Sequence, residues 1–160
     1  MNFSAKTVTR RLRVFAVMDD NSYKPPLIIL GSPRSFTSLV CAMVGQHPEL
    51  YGVPELNLFV VDSLEEFVDV FGGYRQIQQH GLLRTVAHLY AGEQSILAVD
   101  ITRRWIMRRH KKNISDVYQE LCQKVSPLRI VDKSPVYGGS IDTLKRIQDA
   151  FPDASYLHLL

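Results

Sequence analysis

The residues best suited to chemistry stand together in Gly31-Ser32-Pro33-Arg34-Ser35-Phe36-Thr37-Ser38. Ser35, Thr37 and Ser38 offer hydroxyl donors beside Arg34, whose forked and permanently charged guanidinium matches the oxygens of a phosphate or sulfate. Ahead of them, Leu27-Ile28-Ile29-Leu30 is a short apolar run of the kind found in buried parallel strands. Behind them, Leu39, Val40, Met43 and Val44 have the spacing of a helix, which Gly45 and Pro48 end. Strand, loop and helix start predict an anion site over residues 32–38, because the first N–H groups of a helix have no internal partner and lie at the positive end of its dipole. Two further candidates lie downstream. Glu55 follows Pro54 in a turn; it could take a proton from a substrate hydroxyl, or it could be a first-turn acid favouring the next helix. Lys133 follows the apolar run 128–131 and so falls at the carboxyl end of a second strand, the edge where open α/β sheets hold ligands and where Arg34 also lies.

An ATP-binding P-loop, G-x-x-x-x-G-K-[ST], would need glycine at Phe36 and lysine at Thr37; only Gly31 and Ser38 fit. Without the lysine that reaches the β- and γ-phosphates, a nucleotide kinase is disfavoured. Pro33-Arg34-Ser35-Phe36-Thr37-Ser38 resembles instead the 5′-phosphosulfate loop of sulfotransferases, P-[RK]-S-G-T-T, departing from it at Phe36 and Ser38. Ser38 keeps a hydroxyl, while Phe36 stands where the family has a glycine that permits close backbone approach. His47-Pro48 leading to Glu55 is similar to the segment that carries the catalytic base in tyrosylprotein and related bacterial sulfotransferases. Asp132-Lys133-Ser134-Pro135 and Phe151-Pro152-Asp153-Ala154-Ser155-Tyr156-Leu157 resemble the family's D-K-[ST]-P segment and its F-P-D-A-x-[YF]-[IL] strand.

The resemblance implies an α/β fold, a three-layer parallel sheet of the P-loop nucleotide-kinase-like type. It implies 3′-phosphoadenosine 5′-phosphosulfate as sulfuryl donor, held by Ser32, Pro33, Arg34, Ser35, Phe36, Thr37 and Ser38, with 3′,5′-adenosine bisphosphate as product. It assigns Glu55 as base toward an acceptor hydroxyl, and Arg34 and Lys133 as stabilisers of the transferring group, with no metal. The family's strand continues into an arginine and a serine that hold the donor's 3′-phosphate. This chain ends at Leu160 without them, so residues 25–160 are expected to form the N-terminal part of a sulfotransferase domain, apparently truncated, behind an N-terminal arm, 1–24. The rivals are a non-catalytic fragment or interaction module and, less favoured, the kinase. A carrier protein or the missing C-terminal half is a possible partner; the acceptor's identity is not legible.

The bounds agree with one ordinary soluble domain: 160 residues, 46% hydrophobic and 22% charged. A net charge of +3 gives no argument for nucleic acid, though it suits an anionic ligand. Cys41 and Cys122 show no metal spacing and read as reduced thiols, and the apolar run 14–18 after Arg10, Arg11 and Arg13 is too short for a signal or membrane span, so a cytoplasmic location without membrane attachment is expected.

Of the remaining elements, 56–71 reads as an apolar helical segment with Glu65, Glu66 and Asp69 on its wet face. Helices are also expected over 74–90, over about 95–110 with Trp105 and Ile106 inward, over 114–125, and up to Ala150 with Ser140 or Asp142 as cap. A third strand is expected over 156–160.

Overall fold

The computed structural model describes residues 23–93 and 95–160. Four parallel strands among them, β1 (Leu27–Gly31), β2 (Leu50–Val53), β3 (Arg129–Asp132) and β4 (Ser155–Leu159), form one sheet in the order β2-β3-β1-β4. The helices are α1 (Thr37–Val44), α2 (Leu64–Val70), α3 (His80–Ala91), α4 (Ile96–Met107), α5 (Ile114–Val125) and α6 (Ile141–Ala150), with short 3-10 turns at Leu58–Val60, Gly73–Gln79 and Pro135–Gly139. The predicted arm, 1–24, with Arg10, Arg11 and Arg13, falls outside the described residues apart from Tyr23 and Lys24.

Period-two alternation in buried strands sends neighbouring side chains to opposite faces. Ile28 and Ile130 join the large core with Phe59, Tyr118, Leu121, Tyr137 and Ile147. Ile29 and Val131 join the small one with Cys41 of α1. Helices therefore lie on both faces, as the three-layer expectation requires. From β1 the chain crosses by α1 toward β2; from β3 it crosses by α6 the other way, to β4. The carboxyl ends of β1 and β3 thus flank the point where the connections diverge, the usual position of a ligand crevice. At the opposite edge Arg129 donates to the Pro26 carbonyl at 3.1 Å and to Ser155 Oγ at 2.7 Å, tying three strands together.

Helix starts follow capping chemistry. Ser63, Ser95, Asn113 and Ser140 each accept from a backbone N–H two or three residues on, at 2.8–3.2 Å. Several expectations need correction. Residues 50–53 form a strand that is missing from the expected elements, because Leu50 to Val53 pair in register with Arg129 to Asp132. The segment 56–71 is helical only from Leu64; before it, Leu56, Leu58 and Phe59 are core residues in an irregular stretch and a 3-10 turn. The segment 74–90 likewise starts as a 3-10 turn, with regular helix only from His80. On α1, Leu39 (56% exposed) and Met43 (66%) face outward, since a close approach to the sheet selects Thr37 and Cys41 for the inner side. Cys41 and Cys122 are free and buried. Among the described residues no helix is long and apolar enough to cross a membrane.

Candidate active site

The loop after β1 is built on Gly31. A Cβ there would lie 2.7 Å from the Thr37 methyl and 2.9 Å from Ser35 Oγ, so any other residue would force those side chains to shift. Ser35 closes the turn, its Oγ donating to the Ser32 carbonyl at 2.6 Å and its N–H to the same carbonyl at 3.2 Å. Arg34 and Phe36 both take the left-handed conformation, with φ of 66° and 58°. A left-handed residue is the conformation glycine enters freely, so Phe36 adopts the backbone shape of the residue it replaces. Left-handed residues in a loop before a helix are a backbone pattern found in anion-binding concavities, and here they immediately precede α1. Arg34 is exposed and has no hydrogen bond or ion pair among the described residues.

Lys133, one residue past β3, is 7% exposed. Its Nζ donates to Ser38 Oγ at 2.9 Å and forms an ion pair with the Glu55 carboxylate. An ammonium this buried needs a partner and neighbouring hydrogen bonds, and it has both. Of the candidates named from sequence, the structure joins Lys133, Glu55 and Ser38 at one point. They line a cavity of about 490 Å³ together with Asn57, His80 and Arg84. Ser32 and Pro33 lie on the other side of the loop, in a second cavity of about 580 Å³ shared with Pro135, Gly139 and His158. Thr37 is buried and Phe36 points outward, so neither side chain reaches the first cavity. Glu55 is not a first-turn acid: α2 begins at Leu64 with Glu65 and Glu66 in its first turn.

Three contributors lie outside that candidate set. Asp132, the last residue of β3, is fully buried and accepts from Ser134 Oγ at 2.9 Å and from the Tyr137 and Tyr118 hydroxyls at 3.0 and 3.3 Å. Burial raises its carboxyl to about 6, against the lowering effect of those hydrogen bonds. Gly81 of α3 meets the Glu55 backbone so closely that a Cβ would lie 1.7 Å from the Glu55 carbonyl oxygen. Asn57 is left-handed (φ 55°) and its Nδ2 donates to the Gln78 carbonyl at 3.2 Å. An acidic residue ending an apolar strand and a glycine inside a helical pattern were the available signals.

At the carboxyl edge of the sheet, then, a buried lysine joins a serine at the start of α1 to a carboxylate on the wall of a cavity. Residues 25–160 match the family model described as the sulfotransferase family. The chain belongs to that family. Two solved structures are similar: the sulfotransferase domain of the olefin synthase from Synechococcus PCC 7002, at 28% identity and TM-score 0.75 over 89% of this chain and 50% of that one; and the sulfotransferase domain from the curacin biosynthetic pathway, at 27% identity and TM-score 0.69 over 86% of this chain and 47% of that one. The chain therefore spans about half the length of these domains. No curated protein matches it. Sulfotransferase membership and the doubly wound sheet agree with the resemblance drawn from the sequence motifs.

Proposed function

We propose that this chain carries the donor loop and the acceptor wall of a sulfotransferase that moves a sulfuryl group from 3′-phosphoadenosine 5′-phosphosulfate to an acceptor hydroxyl. The observation that carries this reading is Lys133 touching both sides at once, Ser38 on the anion loop and Glu55 on the cavity wall. The residues fit the donor: Gly31 leaves the cradle open, the α1 amides supply dipoles, and Arg34 and Lys133 supply positive charge. When bound, the donor supplies the sulfuryl group and leaves as 3′,5′-adenosine bisphosphate.

In that role the loop N–H groups and Arg34 hold the 5′-phosphosulfate. Lys133 steadies negative charge on the departing oxygen, and Glu55 takes the acceptor's proton as its oxygen bonds to sulfur. Little covalent work falls to the protein; positioning and fixed charge carry the rate. The acceptor is any hydroxyl-bearing molecule able to enter the Glu55 cavity, free or on a carrier protein, and the setting we propose is cytoplasmic. The second reading is a non-catalytic interaction module of the same fold.

Calorimetric titration separates these readings. Preferential binding of 3′,5′-adenosine bisphosphate over ATP with magnesium, weakened about 10- to 100-fold by Arg34→Ala, is the expected result, since a charge-assisted hydrogen bond contributes about 1.5–3 kcal/mol. A folded chain that binds neither ligand would establish the module reading, and preference for ATP would restore the kinase.

A further inference from the structure

Asp132 touches neither cavity, yet its hydrogen bonds end at the Glu55 segment. The Leu56 N–H donates to the Asp132 carboxylate. The next two N–H groups go to side chains that Asp132 itself orients: Asn57 N–H donates to Ser134 Oγ and Leu58 N–H to Tyr137 Oη, both at 3.1 Å. Each of these hydroxyls donates its own proton to Asp132, which leaves its oxygen free to accept from the amide behind it. Three consecutive amides leading into the 3-10 turn at Leu58–Val60 are thus satisfied through one carboxylate. Glu55 is the residue immediately before them. Gly81 limits it from one side and Lys133 takes its carboxylate.

We propose that Asp132 is the positioning residue for Glu55, fixing the segment 55–58 so that the Glu55 carboxylate stays on Lys133 in the cavity, and that it does so only while ionised. What Glu55 does there rests on the sulfotransferase reading; the positioning does not. An ionised carboxylate accepts from all its neighbours, whereas a protonated one must point its own O–H at a group that is already donating. One hydroxyl then has to turn its own proton away from the carboxyl, and the donated bond that fixed its oxygen behind the amide is lost.

The groups facing Asp132 are Tyr118 and Cys122 from α5, Tyr137 and Ser134 from the turn after β3, Cys41 from α1, and its neighbour Lys133. Burial pushes the two phenols and the two thiols up, Cys122 to about 12. That leaves Asp132 as the acid of this set that titrates near neutrality.

The test is residue-resolved amide hydrogen exchange at Leu56, Asn57 and Leu58, corrected for intrinsic pH dependence, at about pH 7.5 and about pH 5. It compares the wild-type chain with Asp132→Asn and Tyr137→Phe, each titrated with 3′,5′-adenosine bisphosphate in parallel. Wild-type protection of the three amides should fall about tenfold on acidification, while β1 and β3 stay protected. Asp132→Asn should show the low protection at both pH values. Tyr137→Phe should lose protection chiefly at Leu58 and keep the pH response at Leu56. A pH-independent wild type, or Asp132→Asn protection equal to wild type, would overturn the proposal. If Asp132→Asn fails to fold, unchanged Leu58 protection in Tyr137→Phe overturns it equally. pH-dependent protection in a chain that binds no bisphosphate supports the positioning and removes the sulfotransferase reading instead.

Discussion

The two sides of the site are built differently. The wall, residues 55–58 with Lys133, hangs on the large core through a fully buried carboxylate, two buried tyrosines and a close backbone contact at Gly81. The loop, residues 32–36, is held by Ser35 closing on the Ser32 carbonyl and by Gly31 beneath it, with Arg34 and Phe36 left-handed and exposed. Behind the loop stands one helix and the small core around Cys41. A proton acceptor must hold one geometry against one atom, which favours burial and many hydrogen bonds. In the proposed donor role the loop works through backbone dipoles and an exposed charge, at a surface where a large ligand can enter and leave.

If the wall is rigid through close packing, the largest effect comes from forcing it. Gly81→Ala places a Cβ 1.7 Å from the Glu55 carbonyl oxygen, and a backbone atom cannot yield as the end of a side chain does. We expect a loss of about 3 kcal/mol or more in urea denaturation, at the upper end of overpacking costs. Gly138→Ala, with nothing within 4 Å of the added Cβ, should cost no more than about 0.5 kcal/mol. Equal costs would mean that α3 does not clamp the wall.

The next effect separates fold from site by pH. Burial leaves Asp132 with a folded value of about 6 against an ordinary 3.8, so the folded chain binds this proton more readily than the unfolded one. Its contribution to stability is fully present below the ordinary value and is lost as pH rises through about 6. Between pH 7 and pH 5 denaturant stability should therefore rise by about 1 kcal/mol, and Asp132→Asn should abolish that rise. Two other carboxyls act in the opposite direction and at lower pH. Asp62 is held below 3.8 by its Arg146 hydrogen bonds. Glu120 lies below 4.5 because Arg109 and Tyr90 outweigh the effect of its burial. Over the same interval in which the fold gains, the wall amides should lose protection, a divergence that a purely structural hydrogen-bond network would not show.

The contrast also marks what the sequence made legible. The loop was readable because its chemistry is local: an apolar run, small residues, an arginine and a helix start are adjacent in the chain. Strands β1, β3 and β4 and the later helices followed from the same kind of punctuation, down to Ser140 as a cap. The wall was not readable. Asp132 and Leu56 are far apart in sequence, and β2 carries Gly52 in a four-residue strand whose only strong cue is its pairing with β3. The orientation of α1 escaped for a related reason: Leu39 and Met43 satisfy helical spacing, but the sheet accepts only the smaller Thr37 and Cys41.

The smallest predicted effect is on the loop, and its sign is informative. Phe36 holds φ of 58° and ψ of 16°, a conformation that costs an L-residue about 1–2 kcal/mol relative to a right-handed one. Its ring is 76% exposed, so truncation leaves no cavity. Phe36→Gly removes that strain but adds about 0.5–1 kcal/mol of chain entropy to be lost on folding, for a net gain of about 0.5 kcal/mol in unfolding free energy by urea denaturation. Leu39→Gly removes a comparably exposed apolar side chain from a right-handed helical position and should cost about 1 kcal/mol. Opposite signs at two surface positions three residues apart would establish that the loop stores backbone strain while the helix behind it does not. Equal losses would mean that the Phe36 ring stabilises the loop, and that the seat is anchored by a side chain after all.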